Sequence, residues 1–135
     1  MPARLIFVYG TLLRGERAHS LLAGAGFRGE ARTEEGYALI DLGSYPGLVR
    51  ADGGRVVGEI YEVDAERLAE IDAYEGHPDL FRRVALSLSG RGPISRAEGY
   101  LYAGEFADGI PVVGGDWRRR LPRSGSKPSG RRGTC

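Results

Sequence analysis

The chain has 135 residues, 41% hydrophobic and 27% charged, which is enough apolar mass for one core and one domain but not for two. Cys135 is the single cysteine, and His19 and His77 are the two histidines. A disulfide framework and a Cys-built metal site are thereby excluded, and little is left for a His-built one.

The net charge of +1 conceals an asymmetry: residues 1–117 hold all 18 acids against 12 arginines, a net −6, while residues 118–135 carry seven cations and no acid. The opening segment MPARLIFVYGTLLRG has an apolar stretch too short for a signal peptide and no small-residue cleavage site. No run of about 18 apolar residues occurs, which excludes a membrane-spanning helix. The expectation is a soluble, cytoplasmic, cofactor-poor protein.

Residues 5–9, Leu-Ile-Phe-Val-Tyr, form a continuous apolar run ending at Gly10, the pattern of a strand buried on both faces. Residues 17–23 can form a short helix before the Gly24–Gly26 break. Tyr37–Leu42 reads as a strand that ends in the turn-rich Gly43-Ser44-Tyr45-Pro46-Gly47. Asp52-Gly53-Gly54, set between Leu48-Val49 and Val56-Val57, predicts a hairpin whose return strand runs from Arg55 to Val63.

Asp64 is a good N-cap for AERLAEIDAYEGHP, a segment rich in helix formers that Gly76 and Pro78 stop. Strands follow at 81–88, with Val84, Leu86 and Leu88 alternating, and at 94–103, with Arg91-Gly92-Pro93 as the turn between them. The 22 glycines favour many tight turns. Strands dominate and one helix is clear, which makes this an α+β domain with a strongly curved or barrel-like mixed sheet. The domain is expected to span 1–117. The tail 118–135 has a single leucine among Arg, Ser, Gly and Pro and cannot offset its ordering entropy, so it reads as disordered.

The helix carries the sharpest chemical clue. At about 100° per residue Leu68, Ile71 and Glu75 fall on one stripe. A carboxylate aimed with the core loses hydration, and desolvation raises its pKa towards the range useful for proton transfer. The competing reading is a Glu75 in the last helical turn that swings into water, away from an unfavourable dipole. The second clue is Tyr9-Gly10-Thr11-Leu12 directly after the buried strand. Successive backbone N–H groups at such a turn can converge into an anion-binding nest, although an ordinary strand exit looks the same in sequence.

Other candidates are weaker. Gly10 and Gly15 have phosphate-loop spacing, but Glu16 and Arg17 stand where Lys and Ser/Thr are needed, so a nucleoside triphosphate site is rejected. Ser44 lacks a nucleophile elbow, His77 reads as a turn residue, and His19 reads as a helix-surface one. Tyr100 and Tyr102 share one strand face and either line a pocket or pack in the core. Glu59 and Glu62 are taken as surface residues.

Read in order, VYGTLLRGERAHSLL, SYPGLV, VVGEIYEVD, LAEIDAYEGHP, RRVALSL, GYLY and GGDW resemble the gamma-glutamylcyclotransferase-like superfamily over about 110 residues. Tyr-Gly-Thr-Leu resembles the gamma-glutamylamine cyclotransferase branch more than the branch that tends to carry serine and asparagine at the third and fourth places. The resemblance implies a small mixed β-barrel flanked by short helices. It also implies cleavage of a γ-glutamyl amide by its own α-amine, releasing 5-oxoproline and a free amine without metal or cofactor. Carried over by position, the catalytic glutamate is Glu75, and the substrate-binding loop is Tyr9, Gly10, Thr11 and Leu12. The implied partner is a small-molecule γ-glutamyl amine, with no membrane. Two other functions stay open on the sequence: a non-catalytic binding module for such compounds, and nucleic-acid binding through the basic tail, which has no aromatic residue to stack on bases.

Overall fold

The computed structural model describes residues 4–89, 92–104 and 109–120. Eight strands occur in the order β1 (Arg4–Val8), β2 (Gly26–Thr33), β3 (Tyr37–Asp41), β4 (Pro46–Arg50), β5 (Val57–Val63), β6 (Phe81–Ser89), β7 (Arg96–Tyr102) and β8 (Ile110–Pro111). One helix, α1 (Ala65–Glu75), lies between β5 and β6, and short 3-10 turns occur at His19–Leu22 and Trp117–Arg119. The predicted helix at 17–23 is thus a single 3-10 turn.

In the sheet the strands follow the order β1-β5-β2-β6-β7-β4-β3-β8, and a further parallel pairing of β1 with β7 closes the first five into a ring. This is a sheet-dominated α+β fold with a mixed, ring-like sheet. β1 occupies the seam of the ring, antiparallel to β5 and parallel to β7, with Ile6 opposite both Tyr61 and Glu98. That position explains its unbroken apolar run: Ile6, Phe7, Val8 and Tyr9 are all fully buried. The ring closes tightly here. A Cβ at Gly58 would lie 2.2 Å from the Val8 carbonyl oxygen and 2.6 Å from the Phe7 ring, so the β1–β5 approach requires glycine.

The predicted Asp52–Gly54 hairpin is corrected. β4 pairs with β3, placing Leu39 opposite Leu48 and Asp41 opposite Pro46, whereas β5 lies between β1 and β2. The hairpin turn is Leu42–Tyr45, closed by the Leu42 amide donating to the Tyr45 carbonyl at 2.9 Å and the Gly43 amide to Asp41 Oδ1 at 2.8 Å. Asp52–Gly54 instead leads the chain away from one pairing to another. The Gly54 carbonyl accepts from the Gly36 and Tyr37 amides at 2.9 and 3.2 Å, which ties the turn back to the start of β3. Strand β2 was not foreseen, since GFRGEART holds few apolar residues, lies mostly exposed, and breaks register between Phe27 and Gly29.

α1 begins and ends where the sequence predicts. Asp64 accepts from the Arg67 amide at 2.7 Å, and Gly76 takes the left-handed conformation (φ 67°) that closes the helix. Arg67 also reaches across to the carbonyls of Leu21 and Ala23, at 3.0 and 2.7 Å, pinning the 3-10 turn at His19–Leu22 to the helix. At the carboxyl end, Asp116 caps the last 3-10 turn, Trp117 is buried, and the Arg120 guanidinium lies 3.7 Å from the centre of the Trp117 ring. Residues 121–135 of the basic tail lie outside the described residues.

Candidate active site

Glu75 is fully buried, on the stripe it shares with Leu68 and Ile71. The swing into water that its place in the last turn permits does not occur. α1 is held against the ring by a second acid one turn earlier: Asp72 accepts from the Tyr100 hydroxyl at 2.6 Å and pairs with Arg83. Burial alone would raise the Asp72 carboxyl. The Arg83 and Tyr100 hydrogen bonds outweigh it and hold Asp72 below the ordinary aspartate value of 3.8. The same Asp72 bond pushes the Arg83 pKa upward against burial. Arg83 also reaches Glu98 at 3.4 Å, and Glu98 meets Arg4 at 2.7 Å. Tyr100 is therefore a fully buried core residue that anchors the helix, and Tyr102 packs at a tilt against Phe81 with ring centres 5.4 Å apart.

The Tyr9–Leu12 loop leaves β1 next to this helix end. Tyr9, Thr11 and Leu12 are buried, and the Leu13 amide donates to the Gly10 carbonyl at 3.1 Å, folding residues 10–13 into one turn. The side chain of Tyr9 points into the protein. Its hydroxyl donates to the Tyr100 carbonyl at 2.8 Å and accepts from the Leu48 amide at 3.2 Å. It thus bridges β7 and β4, which pair only at Leu48 and Leu101. Thr11 Oγ1 and the Tyr74 hydroxyl share a 3.0 Å hydrogen bond, which joins the loop to the residue preceding Glu75.

Neighbours hold the rest of the loop. The Ala18 amide donates to the Thr11 carbonyl at 2.9 Å, and His19 Nδ1–H donates to the Leu12 carbonyl at 2.9 Å. His19 is therefore half-buried loop support rather than a helix-surface residue. Arg17 donates to the Ser44 carbonyl at 2.8 Å, tying the following segment to the β3–β4 turn. His77 is a turn residue, as expected, and its Nδ1 accepts from the Arg83 amide at 3.0 Å.

The surface assignment of Glu59 is corrected: the residue is 1% exposed. It lies opposite Val8, the last residue of β1, and accepts from the Arg14 amide at 2.9 Å, the Tyr61 hydroxyl at 3.0 Å and Arg118 at 2.9 Å. Burial would raise its carboxyl, but the Arg14 amide, Arg118 and Tyr61 together hold it below the ordinary value of 4.5. Burial and the neighbouring Glu59 charge in turn push the Tyr61 hydroxyl up to about 12. Flanked by Gly58, Ile60 and Tyr61, Glu59 sits in a stretch buried throughout, where an acid needs compensating partners. Glu62, by contrast, is half-buried and paired with Arg28.

Among the described residues no three His, Cys, Asp or Glu side chains gather as a metal site would require. No helix there is long and apolar enough to cross a membrane.

Comparison with known proteins bears on the same elements. The family described as "Gamma-glutamyl cyclotransferase, AIG2-like" matches residues 6–119, from β1 through the turn after Trp117. A Vibrio cholerae protein named "Putative gamma-glutamylcyclotransferase" is 38% identical over 117 residues, covering 87% of this chain and 97% of that one. The human gamma-glutamylaminecyclotransferase is 42% identical over 91 residues, 61% of this chain and 60% of that one. The crystal structure of an AIG2-like protein from Mus musculus superposes with a TM-score of 0.70 at 29% identity, covering 93% of this chain and all of that one. The chain belongs to the gamma-glutamyl cyclotransferase, AIG2-like family and is an enzyme of gamma-glutamylcyclotransferase type.

Proposed function

We propose that this protein cleaves a γ-glutamyl amine by intramolecular attack, releasing 5-oxoproline and the free amine, with Glu75 as general acid/base and the Tyr9–Leu12 loop holding the substrate. The observation that carries this reading is the Thr11–Tyr74 hydrogen bond. It fixes a turn of backbone amides beside the helix end that bears a fully buried carboxylate. The preference for γ-glutamylamines follows from Tyr-Gly-Thr-Leu at positions 9–12 and from the human relative's name. On this reading the ring-like sheet is a small mixed β-barrel, and the site opens at the end where β1 exits.

The chemistry needs one proton carrier. Glu75 takes a proton from the substrate's α-ammonium and frees its lone pair. The amine attacks the γ-carbonyl carbon, forming the C–N bond of a five-membered ring. Amides of Gly10, Thr11 and Leu12 stabilise the oxyanion or grip the α-carboxylate. As the intermediate collapses, the original γ-carbonyl C–N bond breaks, and the proton held by Glu75 passes to the departing nitrogen. The second proton of the attacking nitrogen leaves with the released amine, which departs as its ammonium. Because both reacting groups belong to one molecule, folding the substrate into an attack geometry supplies much of the acceleration.

The test is 5-oxoproline release from a panel of γ-glutamyl amines, with Glu75→Gln alongside. The variant is expected to fold normally and lose about 100-fold or more in kcat, the usual scale for removing a positioned acid/base. Turnover retained by Glu75→Gln overturns the assignment. Silence from both proteins, with 5-oxoproline still raising the Tm, would mean that the fold binds these compounds without converting them.

A further inference from the structure

A buried carboxylate that the reaction does not use lies directly beneath the substrate loop. Glu59 stands opposite Val8, where β1 ends, and is almost wholly removed from water. One of its oxygens accepts the Arg14 amide. The other accepts the Arg118 guanidinium, and Arg118 simultaneously donates to the Arg14 carbonyl at 2.6 Å. Both polar groups of the Arg14 backbone are therefore held by Glu59 and Arg118, and the Arg14 guanidinium itself also pairs with Glu59 at 3.5 Å. Arg14 directly follows the turn closed by the Leu13 amide on the Gly10 carbonyl, so fixing Arg14 fixes the outgoing end of that turn.

Burying the Glu59 carboxylate costs desolvation that its partners must offset, while the Arg118 side chain stays about one-third exposed. An acid so placed is often no more stabilising than an apolar residue of similar volume. β5 is otherwise lined by Gly58, Ile60, Tyr61 and Val63, so an apolar side chain at 59 would suit the core. What an apolar residue could not do is accept the Arg14 amide and orient Arg118. The segment from Asp116 supplies that cation through a capped turn packed on Trp117, so the basic stretch of the chain begins with a residue built into the loop's support.

We propose that Glu59 and Arg118 are positioning residues for the reaction: the pair clamps the Arg14 peptide and so sets the orientation of the Gly10–Leu12 amides towards the substrate. This rests on the reading of the loop as the substrate site. Glu59 does not touch the reacting atoms and acts through Arg14.

The test combines kinetics with hydrogen exchange in the full chain, using Glu59→Gln, Arg118→Ala and Arg118→Lys. In Glu59→Gln and Arg118→Ala the Arg14 amide exchanges faster while amides of β1 and β5 keep their protection, and kcat/KM falls about 10- to 100-fold, the scale of a slightly misplaced binding group. Arg118→Lys recovers part of the loss by restoring the charge without the fork. The double variant Glu59→Gln/Arg118→Ala falls short of the summed single effects, because the two act as one unit.

Unchanged exchange at Arg14, or kcat/KM within about threefold of wild type, overturns the proposal. If Glu59→Gln does not fold, Arg118→Ala, at the protein surface, gives the same two readouts. If the wild type releases no 5-oxoproline, the proposed activity fails on its own account. Arg14 exchange then still decides the clamp, faster exchange supporting it and unchanged exchange overturning it.

Discussion

Thr11 and Tyr74 meet through a 3.0 Å hydrogen bond between side-chain oxygens 63 residues apart in sequence. This bond couples the loop after β1 to the last turn of α1, two elements whose relative placement defines the proposed site. Tyr74→Phe removes the coupling and leaves the ring in place. We expect a stability loss of about 1 kcal/mol, typical of one hydrogen bond. A several-fold fall in kcat/KM for γ-glutamyl amines should accompany it. Thr11→Ser, which keeps a hydroxyl, should lie close to wild type in both measurements.

Tyr9 should behave differently although it belongs to the same loop. Its hydroxyl is committed to the Tyr100 carbonyl and the Leu48 amide, filling the gap where β4 and β7 diverge. Tyr9→Phe leaves two buried backbone groups short of a partner, a loss of about 1–3 kcal/mol for such groups. The expected signature is a lowered denaturation midpoint with KM little changed. A large rise in KM at undiminished stability would instead place the Tyr9 side chain on the substrate.

How far the sequence disclosed these relationships depended on the range of the signal. The buried β1 run, the Asp64 cap, the Gly76 stop and the Leu68–Ile71–Glu75 stripe are local patterns, and each appears where the sequence predicts. Asp52-Gly53-Gly54 is also a local turn signal, but a turn specifies a change of direction and not a pairing partner. Val57–Val63 finds a matched neighbour on each side in β1 and β2, and so leaves β4 to β3. Glu59 escaped for a related reason. Its burial follows from ring closure and from Arg118, 59 residues distant, neither of which hydrophobic periodicity encodes.

Asp72 offers a test of how the helix end is held. It stands one turn before Glu75, bonded to the Tyr100 hydroxyl and to Arg83, and the side chains of Asp72 and Arg83 are about one-fifth exposed. Asp72→Asn keeps the shape but removes the charge that pairs with Arg83. Partial screening by solvent limits the loss to about 1–2 kcal/mol, between a surface pair and a buried one. Tyr100→Phe should cost a similar amount, since it loses the bond to the charged Asp72 acceptor. If α1 is aligned through Asp72, both variants also lower the rate of 5-oxoproline release at saturating substrate. Full rates at reduced stability would confine Asp72 to structure.

The titrating groups predict a stability profile with two separate limbs. Glu59 and Asp72 have folded-state pKa values below the ordinary 4.5 and 3.8. Their contributions are complete above those ordinary values, and they disappear as pH falls through the lowered folded ones. Tyr61 is shifted the other way, from 10.0 to about 12. Its contribution is complete below pH 10 and is lost as pH rises towards 12. Urea midpoints measured across pH should therefore form a plateau between about 5 and 9, falling on both sides. Glu59→Gln removes one source of the acid limb, so its midpoint declines less steeply below pH 4.5 even though the plateau is lower. It also removes the negative charge that helps to keep Tyr61 protonated, so the alkaline limb shrinks with it. An acid limb unchanged in Glu59→Gln would show that Glu59 titrates alike in the folded and unfolded chains, contrary to its contacts with Arg14, Arg118 and Tyr61.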